Sequence, residues 1–259
     1  MALYDRIGKG YDATRRADPE LLARLRAHLA PRPDGRYLDL ACGTGNYTRA
    51  LADSGVNVCG LDASATMLTA LRAKAPELEL HQGQAEALPF ENNTFDGVTC
   101  TLAIHHFDDR PLAFAEVHRV LKRGRFVLLT AGRDQTRGYW LNEYFPKALA
   151  DSVEQLPPVD EVVETLRQVG FSKIRTDPYA VAEDLQDLFL YSGKHRPRLY
   201  FDARVRAGIS TFASLADPAE VEAGLKRLEA DLDSGRFERV KARYANDLGD
   251  YLFVVAEKG

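Results

Sequence analysis

LDLACGTGNYT, Leu38 to Thr48, is the stretch on which the reading of the fold turns. An apolar strand delivers the chain to Gly43 and Gly45, and a helix from about Asn46 to Asp53 starts immediately after. Glycine accepts a positive φ and lets a ligand approach the backbone where a side chain would stand in the way. Asp39 lies inside the apolar strand, where an unpaired carboxylate would be costly. It therefore needs a partner, either the cationic group of a ligand or backbone N–H donors. A tight strand-to-helix connection would explain the glycines by itself; the acid within the strand points to a ligand.

Working outward, short apolar runs alternate with amphipathic helical segments, which predicts an α/β chain with a parallel sheet wrapped by helices. RYLDLA is the first run, and VNVCGLD, ending at Asp62, is the second. Ser64 reads as the N-cap of a helix through Lys74, and LELHQ after Pro76 is a short third strand. DGVTCTLA reaches Ala103, a helix from Arg110 to Leu121 follows, and GRFVLLTA starts after a basic turn at Lys122-Arg123. Val159 to Val169 is a further helix stopped by Gly170; FSKIRTD and the terminal YLFVVAEKG are strands six and seven. A mostly helical insertion, about Pro178 to Gly249, separates those two. A final strand at the end of the sequence argues for one sheet in one domain. Its core spans about 30–178 plus 251–259, and cap elements lie at about 1–30, 132–155 and 178–249.

The 259 residues carry a formal net charge of -4, with 45% hydrophobic and 28% charged residues. That disfavours a sequence-independent nucleic-acid binder, which needs a basic face. The opening MALYDRIGKGYD reads as neither a signal peptide nor a membrane span, and no later run is apolar enough to span a bilayer. Cys42, Cys59 and Cys100 are odd in number and widely spaced, which predicts buried free thiols, no metal site and a reducing cytoplasm.

Asp62 ends the strand after the glycine turn. In a doubly wound sheet the C-terminal ends of adjacent strands face one crevice, so a carboxylate there can accept both hydroxyls of a ribose. Nicotinamide cofactors use the same architecture, but their G-x-G-x-x-G fingerprint needs a glycine where this chain has Thr48. A ligand without a diphosphate but with a charged amino-acid tail suits Asp39 better, which favours S-adenosylmethionine over NAD.

LDLACGTG, then VCGLDAS, GQAEALPFENNTFDGV, TLAIHHF and LKRGRFVLLT together resemble the class I S-adenosylmethionine-dependent methyltransferases. Within them the chain is most similar to the ubiquinone/menaquinone-biosynthesis-type small-molecule branch, over about Leu38 to Ala131. The resemblance implies a Rossmann-like, doubly wound seven-stranded sheet with its last strand antiparallel and helical cap elements. It implies methyl transfer from S-adenosylmethionine to a small molecule, with S-adenosylhomocysteine as product. Carried over by position, Gly43 and Gly45 pass beneath the methionine part, Asp62 and its neighbour Ala63 hold the ribose side, and Met67 packs against adenine. Gln84, where the family often has Asp, and the backbone of Ala85 meet the adenine edge; Glu86 serves the loop itself; the Leu102 carbonyl meets the cofactor's amino group. Tyr4-Asp5 and Tyr11-Asp12, followed by Thr14, Arg15 and Arg16, resemble the family's N-terminal helix that closes over the cofactor. Tyr11 would contact the cofactor carboxylate or line the transfer channel; a solvated helix with two packing tyrosines is the alternative.

His105 and His106, just beyond the fourth strand, are the candidate general bases, since imidazole exchanges protons near neutral pH. The competing reading has one pack and the other cap the helix entered at Asp108-Asp109. Tyr139, Trp140, Tyr144 and Phe145 lie where an acceptor would enter, as an aromatic wall for substrate or as core beneath a lid. Phe189, Tyr191, Lys194, His195, Arg196, Arg198 and Tyr200 form an aromatic and basic cluster, either a site for an anionic acceptor or a solvated face. The insertion would extend a cap or support a homodimer. Methylation of a macromolecule, or a non-catalytic S-adenosylmethionine-binding subunit, remain the alternatives. Against the first, TLAIHHF lacks the Asp/Asn-Pro-Pro-aromatic pattern that holds a flipped base.

Overall fold

A computed structural model describes residues 14–259. Seven strands form one sheet: β1 Tyr37–Leu40, β2 Val58–Asp62, β3 Leu80–Gln82, β4 Phe95–Thr101, β5 Leu121–Thr130, β6 Lys173–Tyr179 and β7 Tyr251–Lys258. Their spatial order is β3-β2-β1-β4-β5-β7-β6, and β7 runs antiparallel to both of its neighbours. The chain winds outward from β1 through β2 to β3, then returns to place β4 on the other side of β1. The tips of β1, β2 and β4 therefore flank the switch point, where open α/β sheets bind their ligands.

The helices are α1 Pro19–Leu29, α2 Asn46–Asp53, α3 Ala65–Lys74, α4 Arg110–Val120, α5 Arg133–Arg137, α6 Pro146–Gln155, α7 Val159–Gln168, α8 Ala203–Ala207, α9 Pro218–Asp233 and α10 Arg236–Arg243. Ser64 caps α3 by accepting from the Met67 N–H at 3.2 Å, and Gly170, at φ +110°, follows the end of α7. Each closes its helix as its residue type predicts. β5 differs from expectation by starting at Leu121 rather than after Lys122-Arg123. The basic pair lies within the strand, where Lys122 Nζ reaches the Asp96 carboxylate at 3.1 Å.

The central strands are buried on both faces, so their side chains sort by parity into two cores. Val127, Leu129, Phe253 and Val255 face the layer holding α1 and α2; Phe126, Leu128, Val254 and Ala256 face the layer of α4 and α7. Phe114 and Val117 of α4 are fully buried in the second, each worth about 1.5–3 kcal/mol relative to exposure. The first core continues without a break into the cap, through Tyr139, Trp140, Tyr144, Tyr191 and Tyr200. No helix among the described residues is long and apolar enough to cross a membrane.

Candidate functional site

β1 ends at Leu40, and the backbone then turns through Ala41 at φ +56°, Gly43 at +55° and Gly45 at +75°. Leu102, at the tip of β4, is also left-handed at φ +53°. Two non-glycine residues in this conformation at neighbouring strand tips store backbone strain of the kind found at ligand sites. Gly43 and Gly45 have different reasons to be glycine. A Cβ on Gly43 would meet nothing within 4 Å, because the residue faces open cavity. A Cβ on Gly45 would clash with both terminal methyls of Leu71 on α3. Gly45 thus lets α2 and α3 approach each other and does not line the cavity, contrary to the sequence expectation.

Asp39 is 3% exposed and lines the cavity floor. Its partners are neither of those expected: Thr48 Oγ1 donates to one carboxylate oxygen at 2.6 Å and Thr99 Oγ1 to the other at 2.8 Å. Thr48, the residue standing where a dinucleotide fingerprint needs glycine, is therefore committed to Asp39. Burial pushes the Asp39 carboxyl up to about 6, against the pull of the two hydroxyls, and nearby Asp62 adds to the rise. Asp62, at the tip of β2, accepts the Gly43 N–H and the Ser64 N–H, one on each oxygen, both at 2.8 Å. The pairing fixes the carboxylate across the glycine turn.

These residues border a cavity of about 760 Å³ over the switch point. Ala63, Met67, Gln84, Ala85 and Leu102 line it as expected, and Glu86 serves its loop by accepting the Asp109 N–H at 3.3 Å. The Thr101 hydroxyl, buried in the cavity wall, has no partner among the described residues. An adenosyl ligand with an amino-acid tail fits this set: an anchored carboxylate at the second strand tip, a glycine backbone open to the cavity, and a second acid beneath it. Tyr11 lies outside the described residues.

His105 and His106 close a short 3-10 turn, Ile104–His106, with ring centroids 3.9 Å apart, and both line the cavity. Burial, then the neighbouring ring, pushes His105 down to about 3; burial also lowers His106. Both imidazoles are neutral at pH 7. Neither caps α4, whose N-terminus is closed by the Asp109 side chain accepting from the Leu112 N–H at 2.9 Å.

The aromatic run after β5 forms core and not a wall for substrate. Tyr139, Trp140 and Tyr144 are at most 2% exposed and do not reach the cavity. Tyr139 and Tyr200 share a hydroxyl contact at 2.6 Å, Trp140 Nε1 donates to the Lys194 carbonyl at 3.2 Å, and the Tyr144 hydroxyl donates to Asp231 at 3.0 Å. They are the cap's core, because each polar tip finds a partner inside the cap. The basic cluster is spent on structure as well: Lys194 pairs with Asp250 at 2.8 Å, Arg196 donates to the Leu185 carbonyl, and Arg198 pairs with Asp233 at the surface. Of that cluster only Phe189 borders the cavity.

The remaining wall joins Arg15, expected near the cofactor from the resemblance, to residues that no motif announces. Arg15 forms a two-point ion pair with Asp187, a buried residue that also accepts the Tyr47 hydroxyl at 3.3 Å. Leu188 N–H donates to the Thr14 carbonyl at 3.1 Å beside it. Ser152 of α6 and Thr211 bring hydroxyls within 3.1 Å of each other. Elsewhere, Cys59 and Cys100 are buried free thiols, while Cys42 is only half-buried in the cavity wall. Cys59, Glu79 and His81 bring ligand atoms within 4.8 Å of one another, but Glu79 already accepts two hydrogen bonds from the Arg36 guanidinium, which fills the place of a cation.

Comparison with known proteins agrees with this geometry. The family model described as a methyltransferase domain matches residues 38–129. The chain is 30% identical over 162 residues to a demethylmenaquinone methyltransferase of Renibacterium salmoninarum, covering 55% of this chain and 68% of that protein. It is 35% identical over 161 residues to an uncharacterized methyltransferase of Synechocystis, covering 59% and 74%. A solved structure of a putative methyltransferase from an antibiotic biosynthesis pathway of Anabaena variabilis superposes with a TM-score of 0.84 at 33% identity, over 94% of this chain and 98% of that one. The chain belongs to the class I S-adenosylmethionine-dependent small-molecule methyltransferases of the menaquinone/ubiquinone type, and its reaction is methyl transfer from S-adenosylmethionine to a small-molecule acceptor.

Proposed function

We propose that the cavity holds S-adenosylmethionine with its ribose on Asp62 and its methionine part over Gly43, and that the acceptor enters from the cap side. The observation that carries this is the Asp62 carboxylate at the tip of β2, pinned by the Gly43 and Ser64 N–H groups at 2.8 Å and bordering the cavity. Met67 and Ala85 then face adenine, and the Gln84 side chain, which has no partner among the described residues, meets its edge. Asp39 and the Leu102 carbonyl take the ammonium. Beside Gly45's packing role, these assignments leave the glycine turn with one ligand-facing residue.

The cofactor supplies its own electrophile, a methyl group on a sulfonium, so the chain's task is alignment, exclusion of water and removal of a proton. For a hydroxyl acceptor, an oxygen–carbon bond forms as the sulfur–carbon bond breaks, and the hydroxyl proton passes to a neutral imidazole of His105 or His106. Burial keeps both rings unprotonated at neutral pH, and the same burial makes the imidazolium costly, so the proton is passed on and not held there. Segments 132–155 and 178–249 form the acceptor side as a cap on a core of about 30–178 plus 251–259. The relatives named as demethylmenaquinone methyltransferases favour a small ring-bearing acceptor over a macromolecule, as does the net charge of -4. The three free thiols suit a cytoplasmic enzyme.

Titration calorimetry with S-adenosylmethionine, with NAD as the control, tests the cofactor placement. The expected result is a single site for S-adenosylmethionine that Asp62→Ala weakens; tighter binding of NAD would overturn it.

A further inference from the structure

We propose that the acceptor is an uncharged molecule with an apolar body, and that Ser152, Gln155 and Thr211 select it by hydrogen bonds to its polar end. This rests on the reading that the strand-tip half of the cavity holds the cofactor. The half contributed by the cap is then the acceptor's. Although 28% of the chain is charged, among the described residues only Arg15 and Asp187 of the cap bring charge to that half. They neutralise each other through a two-point contact, and the Tyr47 hydroxyl further satisfies Asp187. Lys194, Arg198 and Arg196 of the insertion turn away to Asp250, Asp233 and the Leu185 carbonyl.

What remains on the cap side is apolar or neutral. Leu156, Phe189 and Ile209 offer buried carbon surface for a ring or chain. The Ser152 and Thr211 hydroxyls, 3.1 Å apart, share one hydrogen bond, which leaves the accepting hydroxyl with its own proton to donate. The Gln155 amide has no partner among the described residues and can donate or accept. An acceptor carrying an ammonium or a phosphate would leave water for a wall without a counter-ion, at a cost that hydroxyls repay only in part. An ammonium would also stand beside the cofactor's sulfonium, a like charge. Both the wall and the cofactor thus select against a charged acceptor.

The test measures binding to protein saturated with S-adenosylhomocysteine, using three probes of one ring: catechol, 3,4-dihydroxybenzylamine and 3,4-dihydroxybenzoate. Catechol is expected to bind at least about tenfold tighter than either charged analogue. The Ser152→Ala/Thr211→Val pair should weaken catechol by about tenfold while S-adenosylhomocysteine affinity stays unchanged, which also shows the variant is folded. Ser152→Asp should turn the preference toward dihydroxybenzylamine. Equal or tighter binding of a charged probe, or no binding of any probe to the saturated protein, overturns the proposal. Failure of S-adenosylhomocysteine itself to bind removes the cofactor reading, and the acceptor proposal falls with it.

Discussion

Asp39→Asn separates a ligand-binding acid from a structural one. The wild-type carboxyl is raised by burial from 3.8 to about 6, a difference worth roughly 3 kcal/mol. Because the folded-state value is the raised one, the folded protein holds this proton more tightly than the unfolded chain does. The associated stability is fully present below the unfolded value and is lost as pH rises through about 6. At neutral pH the ligand-free protein therefore carries an unfavourable buried anion, which the amide variant lacks. Asp39→Asn should raise the stability of the ligand-free protein at pH 7 by about 1–3 kcal/mol, read by urea unfolding. Cofactor binding runs the other way. An ammonium binds the ionised carboxylate, so affinity should grow as pH rises; about one unit below the titration point, nine in ten carboxyls are protonated and affinity should be about tenfold lower than at pH 7. Calorimetry in two buffers of different ionisation enthalpy counts the proton released. In the variant the proton release should vanish and the affinity at pH 7 should fall by about tenfold. A wild-type affinity that stays flat between about pH 5 and 7, with no proton released, would refute a cofactor contact and leave Asp39 as a strut between Thr48 and Thr99.

Asp62→Ala should weaken S-adenosylmethionine binding by roughly 1–3 kcal/mol, since it removes charge-assisted hydrogen bonds to the ribose and frees the Gly43 and Ser64 N–H groups; unchanged affinity in equilibrium dialysis removes the ribose assignment. Gly43→Ala and Gly45→Ala should part company: the first loses cofactor affinity with only about 1 kcal/mol of stability lost to its positive φ, while the second melts markedly earlier because it must displace Leu71. The opposite pattern would reverse their roles. With His105 pushed down to about 3 and His106 also lowered, kcat/KM for the acceptor, measured with S-adenosylmethionine saturating so that Asp39 no longer titrates in the profile, should show no acid limb near the ordinary imidazole value, and full turnover of both His105→Ala and His106→Ala would retire the base.

The sheet was legible because its central strands are buried on both faces and so read as unbroken apolar runs between glycine and acid punctuation. Asp62 was legible for the same reason, as a charge at the end of such a run. Asp39's partners were not. Thr48 lies in the first turn of α2 and Thr99 on a strand sixty residues away, and nothing local announces either hydroxyl. Phe145, Tyr144 and their neighbours were ambiguous in principle, since an aromatic run serves a substrate wall and a cap core equally well. The deciding facts are tertiary: Tyr200 and Asp231 reach in from the insertion to satisfy the phenols. Gly45 shows the same limit, because its contact with Leu71 comes from α3, beyond the motif that made it look like a ligand residue.

The cap's charges explain both its docking and the neutrality of its inner wall. Asp250, just before β7, accepts Lys194 Nζ and the Val181 N–H, so one buried carboxylate ties the insertion's start and middle to the sheet. Gln135 donates to the Leu248 and Tyr251 carbonyls and accepts the Gly132 N–H, and its own carbonyl takes the Tyr191 hydroxyl. A buried polar network of this kind is stable only when every member is matched, which fixes the cap in one position over the cavity. Moving Lys194 or Asp250 toward the acceptor would therefore break the network beside Tyr251, against whose ring Phe189 packs edge-on. Charge selectivity in this cavity cannot be altered from the insertion's basic cluster without loosening the cap, whereas Ser152 and Gln155 stand on α6, outside that network, and can be changed alone.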